Sequence, residues 1–406
     1  MSDVMYKRKS ITIRDLIMYI FIQFPISSIL KTYIGPLNII LTVLIFGLFF
    51  FYYMRCGIRK YELALISYSI ITIIVNCVKY NGVFYNINMV IYFPFFIFYM
   101  LFFIRNDNVF FNFLKNHKFY IDMILYLWNF VVAISFFIPS CYTYEGEDRG
   151  FVSFAGTTFL LSPIAIYVFI LLVFQYTFYK KNRYLCLMII PSLCVLMGTS
   201  RTYLIVLICA WMIFLYTRIS NKRIFKYVVV LFAILALGII LVSPIKNKFT
   251  TAAGRVGTAN LSFIEAFTSG RSSFWAYDMY MIIHNKINLL IFGNGVNYLF
   301  YLNKPVFHVA LWAHNDYIQI LSDYGIIGIM IYIGLIVAMI KKSAKYIKKS
   351  KLIIVILVIL WAFNAFFNMF YTYFCAVLSF PYFILLLKYD SQRRYMRKEG
   401  KINGKI

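Results

Sequence analysis

Residues 157–179 read TTFLLSPIAIYVFILLVFQYTFY, a run that contains no charged side chain. As a helix, about twenty such residues cross the hydrocarbon core of a bilayer. The run is continuous and does not alternate between apolar and polar residues, so it predicts a helix and not a strand of a membrane barrel. This stretch therefore predicts a transmembrane helix, and much of the remaining chain repeats its pattern.

The chain as a whole has the composition of a protein embedded in lipid. Of its 406 residues, 63% are hydrophobic, 20% are aromatic and only 13% are charged. A soluble protein of this length needs a more polar exterior, so most of this surface must face lipid. The sequence predicts an all-α, polytopic integral membrane protein with about twelve transmembrane helices. One helix fewer or one more stays open as an alternative. The predicted segments are 15–31, 37–54, 63–78, 87–104, 120–139, 157–179, 184–198, 202–217, 226–243, 326–340, 352–369 and 371–388.

The net charge of +26 arises from short basic clusters between the apolar segments. If the N-terminus lies in the cytoplasm, about three quarters of the 40 lysines and arginines fall on the inner side, as the positive-inside rule requires. The sequence therefore predicts two cytoplasmic termini and no nucleic-acid partner. Lys7-Arg8-Lys9 precede the first segment, and no small-residue cleavage site follows it, so that helix is expected to stay as an anchor.

One long polar segment, at about residues 243–325, interrupts the membrane helices and holds three of the four histidines. The chain is expected to divide into helices 1–9 (residues 1–243), an extracytoplasmic catalytic loop with short helices (244–325), and helices 10–12 with a basic cytoplasmic tail (326–406). Because so much polar structure lies on a single face, we expect the protein to act on a substrate at that face.

Arg201 lies at the predicted outer membrane boundary, within Gly198-Thr199-Ser200-Arg201-Thr202. An arginine at this depth is costly unless it is paired or faces water. Its planar guanidinium suits bidentate binding of phosphate or carboxylate, although an arginine that only reaches for lipid headgroups is the alternative. The small hydroxylated neighbours favour a binding function.

Two further arginines, Arg255 and Arg271, each follow a glycine in the long loop. If the stretch from Arg271 is helical, Trp275 and Asp278 lie on the same face as Arg271, at i+4 and i+7. Ser272 or Ser273 is expected to cap that helix, and the aromatic residues of the helix suit the membrane interface. An interfacial helix with a plain Arg–Asp pair is the alternative.

His314 opens the polar sequence His314-Asn315-Asp316-Tyr317, immediately before a predicted membrane segment. Histidine titrates near neutrality and commonly acts as a general base, although a structural histidine is the alternative. Neighbours on a helix point apart, so Asn315 and Asp316 are not expected to form a triad with it. No metal-ligand spacing accompanies His314, and the seven cysteines form no CxxC pair, so neither a metal nor another cofactor nor a disulfide framework is predicted.

In their order along the chain, these motifs resemble the O-antigen polymerase and ligase superfamily of bacterial envelope polysaccharide assembly. Residues 199–202 (TSRT) open a helix after an outer turn, and 271–275 (RSSFW) follow in the long loop. Residues 292–295 (FGNG) come next, and 314–328 (HNDYIQILSDYGIIG) lead into a helix. The resemblance covers roughly residues 198–335, whereas the first half of the chain agrees only in its number of helices.

The resemblance implies a metal-independent glycosyltransferase of the bacterial inner (cytoplasmic) membrane that polymerises repeat units. Its substrate is then a polyprenyl-diphosphate-linked oligosaccharide, with membrane lipid around it and a chain-length regulator as a further partner. In that family, outer-loop arginines and a histidine are essential, which makes His314, Arg201 and Arg271 the candidate catalytic residues. The candidate substrate-binding residues are Arg255, Asn315, Asp316 and Trp275.

Two other functions stay open. A ligase of the same superfamily would move the finished polymer to lipid A–core or to protein, and the shared motifs do not separate it from a polymerase. A polysaccharide flippase or another transporter can also have about twelve helices. Against a transporter, no inverted repeat is visible and charges inside the helices are nearly absent. Polymerases of this kind are common and diverse in sequence, which favours the polymerase.

Overall fold

The computed structural model describes residues 11–30, 32–79, 88–145, 148–198, 200–219, 271–308, 311–344 and 351–398, together with positions 227, 230, 265 and 268. Within these ranges the chain is almost entirely helical, which confirms the predicted all-α membrane fold. The two strands are β1 (Tyr142–Glu145) and β2 (Asp148–Phe151). The helices are α1 (Ile13–Leu30), α2 (Gly35–Cys56), α3 (Lys60–Lys79), α4 (Asn88–Asn116), α5 (Lys118–Ser135), α6 (Thr158–Tyr179), α7 (Arg183–Leu187), α8 (Ile189–Met197), α9 (Arg201–Arg218), α10 (Arg271–Ile283), α11 (Ile287–Phe292), α12 (Tyr298–Phe307), α13 (Asp316–Ala344), α14 (Lys351–Phe367) and α15 (Phe374–Lys398).

Eight of these helices are long and apolar enough to cross a membrane. Three shorter apolar stretches, Ile40–Cys56, Arg183–Met197 and Ile353–Phe367, coincide with three more of the predicted segments. The predicted segment 226–243 lies outside the described residues apart from positions 227 and 230. Every other predicted segment falls on an apolar helix.

α6 is the central helix of the bundle. Most of its residues are buried, and it packs against α1, α5, α8, α9 and α15. Apolar residues cover its whole circumference, as expected of a helix enclosed on all sides. Lipid gives no hydrophobic driving force between helices, so close packing must hold them together. Aromatic rings supply much of this packing, as where Phe21 meets Tyr99 edge-to-face at 5.1 Å.

α4, α13 and α15 are joined by one carboxylate. α4 leaves α-helical geometry at Asn106, and the next residue, Asp107, accepts a hydrogen bond from Lys388 of α15 at 2.7 Å. Asp107 also forms an ion pair with Lys342 of α13 at 3.1 Å. Charged groups in a membrane bundle are tolerated when they are paired in this way, and removing one partner of such a group is strongly destabilising.

α13 begins at Asp316, whereas the predicted membrane segment begins at residue 326. The helix is kinked at Gly325, where φ is 68° and ψ is −167°. Its first turns are rich in polar residues but are buried in protein, so a search for apolar runs does not detect them. The polar sequence after His314 is therefore the start of a membrane helix and not only the end of a loop.

The connector after α5 forms an antiparallel hairpin in which Tyr142 pairs with Phe151 and Glu145 with Asp148. Phe151 is fully buried and stacks on Phe136 with ring centroids 4.3 Å apart. The hairpin is thereby packed against the end of α5.

The position of α10–α12 outside the cytoplasm stays a prediction, and cysteine labelling tests it. The exposed Cys77 and Cys186 are first replaced by serine, and cysteine is then placed at the exposed His284. Because the basic clusters put this residue outside, the new thiol should react with a membrane-impermeant maleimide in intact cells. A matched Lys341→Cys variant, on the predicted inner side, should react only after permeabilisation. The reverse pattern would overturn the topology.

Candidate functional site

Trp275 fixes α10 against the segment that leads into α13. Its indole Nε1 donates a hydrogen bond to the Ala313 carbonyl oxygen at 2.6 Å, and the ring packs against Phe366 and Phe367 at the end of α14. The whole residue is only 8% exposed. A buried indole normally finds such an acceptor. Trp275 therefore holds the loop helix against the residue that precedes His314.

Asn315 caps the first turn of α13. Its Oδ1 accepts hydrogen bonds from the backbone N–H groups of Tyr317 at 3.0 Å and Ile318 at 3.2 Å. This is the arrangement of an N-cap residue, which satisfies N–H groups that have no partner within the helix. The chain directly after His314 is thereby fixed.

His314 itself has a left-handed backbone conformation, with φ of 49°. Such a φ costs a residue with a side chain about 1–3 kcal/mol, so the surroundings must enforce it. Gln319 contributes: its Oε1 accepts from the Ala313 N–H at 3.0 Å, and its Nε2 donates to the Asp323 carboxylate at 2.9 Å. The chain on the N-terminal side of His314 is thus tied to α13.

Asp316 is fully buried and joins α13 to the connector between α14 and α15. Its Oδ2 accepts hydrogen bonds from the Tyr332 hydroxyl and, at 3.3 Å, from the Tyr371 backbone N–H. The Tyr332 hydroxyl in turn accepts from Trp361 Nε1 at 3.0 Å. A buried carboxylate requires such donors. Asp316 therefore positions two chain segments that flank His314.

Arg271 and Arg201 lie within electrostatic range of each other. Arg271 begins α10 and donates from Nη1 to the Phe367 carbonyl oxygen at 3.0 Å. Burial lowers the pKa of Arg271, the nearby Tyr373 opposes this, and the charge of Arg201 lowers it further. Arg201 is the first residue of α9, where the helix dipole adds positive potential. Two neighbouring guanidinium groups beside a helix N-terminus suit an anion with several oxygens, such as a diphosphate.

Arg271 also acts on His314. Burial lowers the pKa of His314, and the charge of Arg271 lowers it further, to about 4. The sequence predicts a histidine that titrates near neutrality, and this expectation is wrong because the charged ring would be both desolvated and repelled. At neutral pH the imidazole is uncharged, so one ring nitrogen is able to accept a proton.

His314 lies in the wall of a cavity of about 200 Å³. The other walls come from α1, α2, α4 and α6, from Trp312, and from residues 369–375. Among these, Tyr373 both lines the cavity and lies within electrostatic range of Arg271. The cavity and the surroundings of Arg271 therefore share His314 and Tyr373.

Sequence reasoning missed Tyr373. It belongs to the aromatic run FYTYF at residues 370–374, which reads as the start of a membrane segment. The polar residues Asn364, Asn368 and Thr372 mark an interruption between two helices, but they give no sign that Arg271 is near. Only the folded chain brings these groups together.

The four predicted substrate-binding residues differ in what the structure shows of them. Arg255 lies outside the described residues. Trp275, Asn315 and Asp316 all lie close to His314 in the fold, and each makes the structural hydrogen bonds described above. Binding of substrate by these three residues stays a prediction.

α10 has the predicted helical form, with Trp275 and Asp278 both buried. Its cap differs from the expectation, because Thr268 Oγ1 accepts the hydrogen bond from the Ser272 N–H at 3.2 Å. Burial raises the pKa of Asp278 to about 7, and the nearby Asn303 amide opposes this shift. In the part of the chain that the structure describes, no group of three or more His, Cys, Asp or Glu side chains is placed to hold a metal ion.

Fold and site together define a multi-pass membrane protein with a cationic site where the starts of α9 and α10 meet the segment before α13. Residues 186–333 match the family model described as O-antigen ligase. The matched range includes Arg201, Arg271 and His314, and it confirms the resemblance to the O-antigen polymerase and ligase superfamily. No curated protein matches the chain. The family match indicates a role in O-antigen assembly.

Gly293 and Gly325, from the two glycine-containing segments 292–295 and 324–328, lie in segments that contact each other in the fold. Gly293 and Gly325 have positive φ values of 88° and 68°. A Cβ atom on Gly293 would lie 2.3 Å from the Asp323 carbonyl oxygen, and one on Gly325 would lie 2.2 Å from the Ile291 carbonyl oxygen. Only glycine permits this approach. The turn after α11 is therefore docked on the kink of α13.

Replacing Gly325 by alanine should lower the unfolding temperature and abolish activity, because the new methyl group meets backbone atoms and the positive φ adds about 1–3 kcal/mol of strain. Gly334→Ala is the matched control in the same helix, since its Cβ would meet nothing within 4 Å. That variant should unfold at or slightly above the wild-type temperature. Thermal unfolding of the purified proteins makes the comparison, and equal unfolding temperatures for the two variants would contradict the close contact.

Proposed function

We propose that this protein is a polysaccharide polymerase of the bacterial inner membrane. It transfers a polyprenyl-diphosphate-linked glycan to a sugar hydroxyl of another lipid-linked repeat unit, without a metal ion. The observation that carries the proposal is that Arg271 lies within electrostatic range of both Arg201 and the uncharged His314, and that His314 lies in the wall of a cavity.

The arginines bind the donor. A glycan that leaves a polyprenyl diphosphate builds negative charge on the diphosphate oxygens in the transition state. Arg201 and Arg271 stabilise that charge, and they are already in place before the reaction. Their mutual repulsion is relieved when the diphosphate binds.

His314 serves the acceptor. Its uncharged ring takes the proton from the acceptor hydroxyl while that oxygen forms a bond to the anomeric carbon. The bond between the anomeric carbon and the diphosphate oxygen breaks, and polyprenyl diphosphate leaves with the bonding electron pair. One displacement of this kind inverts the anomeric carbon. The helices align the two lipid-linked reactants for it.

The positive-inside pattern supports a site on the outer face of the membrane, where such lipid-linked repeats are joined. Membrane lipid then surrounds the polyprenyl chains, and a chain-length regulator is a further partner. Nucleic acid is not a partner in this proposal, because the basic residues are distributed by topology.

A deletion strain tests the function. The expected phenotype is surface glycan that carries a single repeat unit, seen on glycan gels. Accumulated lipid-linked polymer would instead identify a ligase, and repeat units trapped inside the cell would identify a flippase.

Arg201→Lys should lower kcat by about a hundred-fold although it keeps the charge, because an ammonium group cannot form the bidentate contact with a diphosphate. Arg201→Ala should be at least as damaging. Turnover is measured with purified enzyme and defined lipid-linked repeats, and the exposed Arg59→Lys serves as the matched control with wild-type turnover. Near-normal turnover of Arg201→Lys beside an inactive Arg201→Ala would contradict the bidentate contact.

The dependence of kcat/KM on pH should follow the protonation of His314. Since a base must be deprotonated and this pKa is lowered to about 4, kcat/KM should stay level from neutral pH to about 5 and fall below that. Bound diphosphate offsets the charge of Arg271 and raises the pKa of His314, so kcat should begin to fall at a higher pH than kcat/KM.

His314→Ala should abolish transfer at normal protein levels, and the exposed His284→Ala should keep it. Asp278, whose pKa is raised to about 7, also titrates in this range, so the profile is repeated with Asp278→Asn. A His314→Ala enzyme with wild-type turnover would remove this residue from the mechanism.

A further inference from the structure

The cavity beside His314 is built largely by helices outside the family match. Ser27 and Ser28 of α1, Tyr92 of α4 and Ile164 of α6 line it, and all lie before residue 186, where the matched range begins. The part of the chain that resembles the superfamily only in its number of helices therefore supplies one side of the site.

The chemistry of the lining suits a sugar ring. Three hydroxyl-bearing residues, Ser27, Ser28 and Thr372, line the cavity together with the aromatic residues Tyr92 and Tyr373. A pyranose has an apolar face that packs on aromatic rings and hydroxyls that donate and accept hydrogen bonds. Aromatic walls with a few convergent polar groups are typical of sites for small ligands.

The polar groups retain capacity for a ligand. The Ser27 hydroxyl donates to the Phe24 carbonyl at 3.2 Å, and the Thr372 hydroxyl donates to the Met369 carbonyl at 2.7 Å. A hydroxyl oxygen that donates its one proton still has two lone pairs. Both oxygens are therefore able to accept hydrogen bonds from sugar hydroxyls.

The size also fits. An engineered apolar cavity of roughly 150 Å³ accommodates benzene. The cavity here measures about 200 Å³ and is partly open, so it has room for one substituted six-membered ring and a continuation of the glycan outside it.

The position of His314 indicates whether the donor sugar or the acceptor sugar occupies the cavity. The histidine lies in the cavity wall and within electrostatic range of Arg271, whereas neither Arg201 nor Arg271 is among the residues that line the cavity. On the proposed function, the arginines hold the diphosphate of the donor. The cavity then lies on the side from which the attacking hydroxyl must approach His314.

We propose that this cavity binds the terminal sugar ring of the acceptor, and that Ser28, Tyr92 and Thr372 determine which acceptor sugar is used. The inference rests on the proposed function of the same site. It assigns acceptor selectivity to the N-terminal helices and to the connector before α15, and leaves donor binding to Arg201 and Arg271.

Tyr92→Phe and Ser28→Leu test the inference with purified enzyme in lipid nanodiscs. Each is assayed with one lipid-linked donor and with acceptors that carry either the natural terminal sugar or monodeoxy analogues of it. Tyr92→Phe keeps the ring and removes one hydroxyl, so the KM for acceptor should rise roughly five-fold, the size of one neutral hydrogen bond, at unchanged donor KM. Ser28→Leu narrows the cavity and should raise acceptor KM by more than about ten-fold.

The deoxy analogues separate recognition from a structural effect. The wild type should reject the analogue that lacks the hydroxyl bound by Tyr92, and Tyr92→Phe should lose that discrimination while it still rejects the other analogues. Tyr120→Phe is the matched control, since it also removes a tyrosine hydroxyl. Tyr120 lies in the first turn of α5, and its hydroxyl donates to the Tyr19 carbonyl oxygen of α1. It should retain both KM values and the discrimination.

The outcomes separate a failure of the proposed function from a failure of the acceptor site alone. If the wild type joins no donor to any acceptor, the proposed function fails. If the wild type is active but Tyr92→Phe and Ser28→Leu leave acceptor KM and discrimination unchanged, the cavity inference alone is overturned. A change in donor KM without one in acceptor KM would overturn it as well.

Discussion

The hydrogen bonds that converge on Asp316 hold the two sides of the site together. Through this carboxylate, the start of α13 is joined to the Tyr371 backbone, and Tyr332 extends the network to Trp361 of α14. In surroundings of low dielectric, such a network is strong when every member has a partner and costly when one is lost. His314 lies two residues before Asp316, and Tyr373 two residues after Tyr371. The network therefore fixes the distance between the two residues at which the cavity and the cationic site meet.

The electrostatics of the site suit an anionic ligand. Two guanidinium groups repel each other, and burial together with the charge of Arg271 keeps His314 uncharged. An anion bound there cancels part of the positive charge that Arg201 and Arg271 create. By the same effect it raises the basicity of His314. In the proposed reaction, binding of the donor and activation of the acceptor are thus coupled through Arg271.

The membrane helices could be predicted from the sequence, because an apolar run of the right length has few alternatives to a helix in lipid. The sequence also indicated Arg201, Arg271 and His314 as candidates, because ionisable groups at a membrane boundary are costly without a partner or water, and their roles in catalysis stay predictions. The start of α13 was misplaced, because Asp316 and Asp323 are shielded by protein and not by lipid. The hydropathy of a segment does not show whether lipid or other helices surround it in the fold.

The features that the sequence did not reveal are all tertiary. The lowered pKa of His314 depends on burial and on a charge located forty-three positions earlier at Arg271, by the numbering of the two residues. The cavity wall combines helices from the two ends of the chain, among them α1 and α15. Tyr373 looks like any aromatic residue of a membrane segment until the fold places it beside Arg271. A pattern along the chain contains no information on such distances.

The three-way contact at Asp107 has a mechanical consequence. With a rise of about 1.5 Å per residue, this aspartate lies about 22 Å along α4 from Tyr92 in the cavity wall. Lys342 and Lys388 attach α13 and α15 to the same point. On this geometry, a tilt of about 5° around Asp107 corresponds to a shift of about 2 Å at the level of Tyr92. The ion pairs therefore fix the relative position of the three helices at the end of the bundle that lies away from the cavity.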